Sequence, residues 1–290
     1  MKKSKLAKVL TVSLAALMVF GLASCGGGSG KVSDKDITVI SREEGSGTRD
    51  AFTELTGVLQ DDVDKTVDTA EISNSTSVVT QSVAGNDAAI GYISLGSLDD
   101  TVKAVKVDGV EATVDNIKSG DYKIQRPFNI VTKGEVKELP ADFIKFIMSK
   151  DGQKIIEDEG YISVNDNAEA YKASGLKGSI TLAGSTSVSP VMEVLADKYK
   201  ELNSGVTIEI QQTGSGAGIQ STTEGVCDIG MASRELKDEE TSQGLKSEEI
   251  ALDGIAVIVN KENPVNNLTK DQVMNIYTGN VTAWDDITEE

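Results

Sequence analysis

The 290-residue chain carries 28 lysines and arginines against 46 acidic residues, two cysteines and no histidine, for a formal net charge of −18. So acidic a chain argues against a nucleic-acid partner. Without histidine, the usual zinc sites, Ser-His-Asp triads and Cys-His pairs are excluded by composition.

At the start, Lys2, Lys3, Lys5 and Lys8 precede an apolar run from Val9 to Ala23. The run is shorter than the roughly 20 residues a membrane-spanning helix needs, and small residues close it, so residues 1–24 read as a signal peptide. Leu22-Ala23-Ser24-Cys25 resembles the lipobox of bacterial lipoproteins. That resemblance implies a lipidated Cys25 as the mature first residue, with residues 25–32 forming a Gly-rich tether to the membrane. An ordinary secretory signal or an N-terminal anchor helix are the alternatives, and each places the folded part outside the cytoplasm. If Cys25 carries lipid, Cys227 is the only thiol left and no intramolecular disulfide is possible.

The remainder is long enough for two domains of about 100 to 200 residues. Its recurring unit is a β-branched strand, a loop of Gly and Ser/Thr, then an amphipathic helix. Ile37–Ile40 leads through Ser41–Thr48 into helical spacing at Ala51, Phe52 and Leu55. Ser179–Leu182 leads through Ala183–Ser187 to Pro190, which suits a first helical turn, with Val191, Val194, Leu195 and Tyr199 on one face. Val206–Ile210 leads through Thr213–Gly218 into a helix ending near Gly225. Further strands are expected over 88–93, 128–132, 229–232 and 255–260, with helices over 76–84, 141–159 and 270–277. Strands alternating with helices predict an α/β fold.

These loops suit an anion. A helix N-terminus exposes unpaired backbone N–H groups and carries about half a positive charge, so a small oxyanion docks there without net positive protein charge. Glycine permits close approach, and Ser/Thr hydroxyls add donors. Taken singly, each loop reads as an N-cap or tight turn; three of them plus the donor fork of Arg42 are what point to a tetrahedral guest. No cofactor is implied: Gly214-Ser215-Gly216-Ala217-Gly218 departs from G-x-G-x-x-G, and no phosphate loop of the G-x-x-x-x-G-K-[ST] type occurs.

Those segments resemble the phosphate-binding protein of ABC-type phosphate transporters, over nearly all of the chain after Gly30. Ser41-Arg42-Glu43-Glu44-Gly45-Ser46-Gly47-Thr48 is similar to that family's most specific segment, which implies phosphate contacts at Arg42, Ser46, Gly47 and Thr48. Gly184-Ser185-Thr186-Ser187 resembles its first phosphate loop, implying Thr186 and the Ser187 backbone. Thr213-Gly214-Ser215-Gly216 resembles its second, implying Ser215, with Gly214 and Gly216 in support. Asp228–Arg234 looks like the segment in which some members place a proton-accepting aspartate; here that position is Ser233. Glu44 partly substitutes for that carboxylate or orients Arg42. Trp284 and Tyr92 read as packing residues.

The resemblance implies a two-lobed fold of the type II periplasmic-binding-protein kind, each lobe a central sheet flanked by helices, with inorganic phosphate held between the lobes. It implies a non-enzymatic solute-binding lipoprotein that serves the transmembrane permease subunits of an importer. The order of segments is exchanged relative to the family, as in a circular permutation; a duplicated or truncated reading frame with halves pairing between chains is the competing explanation. On the permuted reading, lobe two combines residues 33–125 and 261–290, lobe one spans 126–260, and hinge strands cross near 124–128 and 257–260. A phosphate-handling extracellular enzyme, or a permuted relic with only a surface role, are the rival functions.

Overall fold

The structure is a computed structural model and describes Val32 and residues 35–287. The expected signal peptide, Cys25 and most of the tether lie outside the described residues.

Lobe two opens with β1 (Thr38–Arg42), α1 (Gly47–Thr56), the pair β2 (Leu59–Gln60) and β3 (Val63–Asp64), β4 (Glu71–Ser73) and α2 (Thr76–Gly85). It continues with β5 (Ala89–Ser94), β6 (Val102–Ala104), β7 (Lys106–Val107) and α3 (Val114–Lys118). Strand β8 (Gln125–Lys133) then enters lobe one, which holds α4 (Glu138–Ile147), α5 (Lys150–Asp158), β9 (Ile162–Ser163), β10 (Gly178–Gly184) and α6 (Ser189–Leu202). After these come β11 (Val206–Gln212), α7 (Ser215–Glu224), β12 (Ile229–Ala232) and α8 (Asp238–Thr241). The long β13 (Leu245–Asn260) returns to lobe two, followed by β14 (Asn267–Leu268) and α9 (Lys270–Tyr277).

The main sheet runs β11-β10-β12-β8-β13-β5-β1-β4, so one strand, β13, belongs to both lobes. Its first part, Leu245–Gly254, pairs antiparallel with β8, and Ile255–Val259 pairs antiparallel with β5. The hand-over between Gly254 and Ile255 falls earlier than the 257–260 crossover expected from sequence. Flanking it, β10 lies parallel to β11 and β12, and β1 parallel to β4 and β5.

Each lobe closes its own apolar core. In lobe one, Phe128, Ile180, Leu182, Leu195, Tyr199 and Ile229 pack together; in lobe two, Phe52, Ile90, Tyr92, Val257, Tyr277 and Trp284 do so. Full burial of such side chains contributes about 1.5–3 kcal/mol each, which is what holds each half of the sheet under its helices. Trp284 is a packing residue whose Nε1 donates to Ala88 O at 2.9 Å. The single helix expected over 141–159 is two helices, because Ser149 caps α5, its Oγ accepting from Gly152 N–H at 3.2 Å. A Cβ on Gly152 would lie 2.3 Å from Phe146 O, so the turn between them is tight.

Candidate functional site

The parallel strands of both lobes deliver their carboxyl ends to one place, the position at which open α/β sheets present ligand sites. From lobe two, β1 ends at Arg42 and turns into α1, while β4 ends at Ser73 and turns into α2. From lobe one, β10 ends at Gly184 before the Ser185–Val188 turn, β11 ends at Gln212 before α7, and β12 runs into Ser233.

Arg42 is only 2% exposed. Its Nη2 donates to Thr186 Oγ1 at 3.0 Å and to Glu43 Oε1 at 2.8 Å, its Nε to Glu43 Oε2 at 2.8 Å, and its Nη1 to Thr76 Oγ1 at 3.4 Å. Glu43 therefore holds the guanidinium as a two-pronged carboxylate. The orienting role assigned to Glu44 from sequence falls to this neighbour, for a local reason. Glu43 N–H still bonds Ser73 O at 3.1 Å, while Ser46 N–H closes a turn onto Glu43 O at 3.2 Å. Glu44 stands at the apex of that turn, exposed, with Gly45 at φ +80° beside it.

Hydroxyls ring the guanidinium. Thr48 Oγ1 and Ser187 Oγ are 2.9 Å apart, Thr76 Oγ1 and Ser187 Oγ 3.0 Å, Ser185 Oγ donates to Ser233 Oγ at 3.0 Å, and Ser215 Oγ lies 3.3 Å from Ser233 Oγ. Ser46 caps α1, its Oγ accepting from Arg49 N–H at 3.4 Å. Gly47 is pressed against lobe one: a Cβ there would meet Ser215 Oγ at 2.5 Å and Ser233 Oγ at 2.8 Å. Gly216 N–H donates to Gly45 O at 2.9 Å, tying the two loops backbone to backbone. Gly214 adopts φ +90° and a Cβ on it would crowd Glu43 Oε1 at 3.3 Å. Thus Arg42, Ser46, Gly47, Thr48, Thr186, Ser187, Ser215 and Ser233 all gather in one buried cluster.

Three members were not found from sequence: Thr76, Ser185 and Glu43. Thr76 starts α2 within Ser75-Thr76-Ser77, a fourth hydroxyl-rich strand-to-helix turn. Its strand β4 is three residues long and mostly exposed, so it leaves little period-2 signal. Beneath Arg42, Tyr92 supports the strand end, its hydroxyl accepting from Arg42 N–H at 3.1 Å and lying 2.9 Å from Ser41 Oγ. Burial pushes the Tyr92 phenol up to about 12 against these hydrogen bonds, so it is neutral across the physiological range. Among the described residues, no group of three or more His, Cys, Asp or Glu is placed to hold a metal ion.

Two lobes joined at a shared strand, with helix N-termini from both aimed at one buried guanidinium-and-hydroxyl cluster, define a solute-binding fold. The chain belongs to the PBP superfamily: the model of the PBP superfamily domain matches residues 28–151 and 169–290. Over 296 residues it is 51% identical to the phosphate-binding protein PstS 2 of Streptococcus agalactiae serotype V, covering 100% of both chains. It is 47% identical to PstS 2 of Streptococcus pneumoniae serotype 4, over 98% of this chain and 99% of that one. A crystal structure of the phosphate-binding protein of a phosphate ABC transporter from Streptococcus pneumoniae superposes with TM-score 0.71 at 48% identity, covering 88% of this chain and 100% of that one.

Proposed function

We propose that this chain is an extracytoplasmic lipoprotein that binds inorganic phosphate between its lobes and delivers it to the permease of an ABC importer, without catalysing a reaction. One observation carries the reading: Arg42 and hydroxyls from the starts of α1, α2, α6 and α7 converge, so both lobes supply donors to a single small volume. A tetrahedral oxyanion engages such a set from several sides, and each charge-assisted hydrogen bond contributes about 1.5–3 kcal/mol. Because the donors are divided between lobes, the anion stabilises the closed arrangement. The named relatives are phosphate-binding proteins, which points to phosphate among the oxyanions. Calorimetry of the mature protein with phosphate and then sulfate tests this. Micromolar or tighter affinity for phosphate, about −8 kcal/mol, is expected; absence of both heat and thermal stabilisation overturns it.

The anchor at Cys25 rests on the lipobox-like Leu22–Cys25 and is tested by Cys25→Ser, which should release the protein from the membrane fraction. No helix among the described residues is long and apolar enough to cross a membrane.

The exchanged order of segments is read as a circular permutation with lobe two split between the two ends of the chain. Supporting it, the two stretches that the family's usual order would make continuous lie side by side. Ile37 N–H donates to Thr282 O at 2.7 Å, Trp284 N–H to Lys35 O at 3.3 Å, and Asp36 bridges Ala283. Joining and cutting at such neighbouring points preserves the native contacts. A single-chain variant re-cut between 164 and 177, with 35–37 joined to 282–284, should bind phosphate like the parent; a variant that fails to fold as a monomer would sink the idea.

A further inference from the structure

Arg234 directly follows Ser233, and Asp50 lies two residues beyond Thr48, so each flanks a member of the cluster without belonging to it. Arg234 is held firmly in lobe one. Its Nη1 and Nη2 donate to Glu240 Oε2 and Oε1, both at 2.8 Å, and its carbonyl accepts from Asn129 Nδ2 at 3.0 Å. Its Nε, facing the other way, stands 2.9 Å from Asp50 Oδ2 on α1 of lobe two, and Lys237 Nζ is 3.8 Å from the same oxygen. Glu240 neutralises one of these two cations, so lobe one presents a net positive charge to a single carboxylate on the opposing helix. Among the described residues, the ion pairs that join the lobes both end on Asp50; the others lie within one lobe or at the shared strand.

We infer that Asp50 and Arg234 form a closure latch: a charge pair outside the anion cluster that sets how much of the protein is closed, and through it the apparent affinity. Opening the lobes moves α1 away from the Ser233–Lys237 loop and so separates this pair together with Thr48–Ser187 and Gly47–Ser215. A pair made only in the closed form shifts the open–closed equilibrium by its own free energy. The apparent dissociation constant follows the fraction of closed-competent protein, and the effect appears mainly in the dissociation rate. Asp50 and Arg234 are positioning residues, because neither belongs to the hydroxyl cluster.

The inference rests on the phosphate-binding reading, and the test separates the two. Phosphate binding is measured by calorimetry and stopped flow for the parent, Asp50→Asn and Asp50→Glu at low and high salt. Interlobe distance is followed by paired spin labels, one on each lobe. Asp50→Asn is expected to raise the dissociation constant about five- to tenfold through faster release, in the range of partly buried ion pairs. It should also widen the unliganded interlobe distance and flatten the salt dependence, and Asp50→Glu should restore most of the loss. A parent that binds no phosphate defeats the functional reading. A parent that binds, alongside an Asp50→Asn variant with unchanged affinity, salt dependence and interlobe distance, defeats the latch alone, as does an Asp50→Asn variant that only lowers the melting temperature.

Discussion

The Nη2 of Arg42 donates to the hydroxyl of Thr186 across 3.0 Å, although 144 residues separate them in the chain. That bond joins the end of β1 in lobe two to the loop after β10 in lobe one. Replacing Arg42 by Ala removes the cluster's only guanidinium and its fork of charge-assisted bonds. Phosphate affinity should fall at least about 100-fold, since two such bonds amount to about 3 kcal/mol or more. Arg42→Lys should recover only part of it, because an ammonium cannot reach Glu43 and Thr186 in the same fork. Titration calorimetry of the three proteins reads this directly.

Gly47 tests how closely the lobes approach. With a Cβ 2.5 Å from Ser215 Oγ and 2.8 Å from Ser233 Oγ, Gly47→Ala cannot close without displacing buried side chains. Overpacking of that kind costs about 1–3 kcal/mol, so affinity should drop about 5- to 150-fold while the melting temperature of the unliganded protein changes little. An alanine variant that binds like the parent would show that this contact is not made in the bound form.

Tyr92 links the core of lobe two to the site. Tyr92→Phe keeps the ring stacked on Phe52, whose centroid is 3.9 Å away, but leaves the buried Arg42 N–H without its acceptor. The loss should be about 1–3 kcal/mol in urea unfolding, with a smaller effect on affinity than Arg42→Ala.

Asp142 on α4 receives hydrogen bonds from Tyr171 Oη at 2.5 Å, Tyr199 Oη at 2.7 Å and Ser174 Oγ at 2.8 Å, fastening the 164–177 connection to lobe one. Burial raises its pKa, but these hydroxyl donors outweigh that and hold it below the usual 3.8. A depressed carboxyl contributes stability that is complete above its unfolded pKa and is lost as pH falls through the folded one. The melting-temperature gap between parent and Asp142→Asn should therefore be constant from pH 5 to 7 and shrink below pH 3.8. A gap that widens on acidification would contradict this.

At the shared strand, Arg126 Nη2 and Nε meet Asp253 Oδ2 at 3.1 and 3.2 Å, and Ser94 Oγ donates to Asp253 Oδ1 at 2.9 Å. Burial pushes Asp253 up to about 6 despite Arg126. The sign is opposite to that of Asp142: a raised carboxyl favours folding most at low pH, and this contribution is lost between its unfolded value of 3.8 and about 6. Removing one partner, as in Asp253→Leu, should cost about 3–5 kcal/mol by stranding a buried charge, and replacing both together, Arg126→Met with Asp253→Leu, considerably less. Chemical unfolding of the single and double variants checks it.

Much of the fold is legible locally. The β-branched runs at 179–182 and 206–210 become β10 and β11, and Gly225 ends α7 in a left-handed C-cap as its sequence implies. The first ten residues of β13, Leu245–Gly254, carry no clear strand signal in sequence: Leu245–Glu249 is mostly polar and exposed until β8 pairs with it, and Asp253-Gly254 interrupts the apolar run that follows. The break at Ser149 was missed for a related reason: helical spacing runs on across a cap whose effect depends on how α4 and α5 pack. Glu43 and Glu44 are indistinguishable by type and spacing, and only the turn closed at Ser46 sends one inward and the other to solvent.

Composition and local pattern by themselves determined the α/β class, the absence of histidine chemistry and the Ser/Thr/Gly loops at helix starts, because each follows from residue type and short-range geometry. That β13 serves both lobes, that Thr76 and Ser185 join the cluster, and that Asp50 faces Arg234 emerges only once the chain is folded. These depend on which strand ends meet across the sheet, a long-range pairing to which no single segment is sensitive.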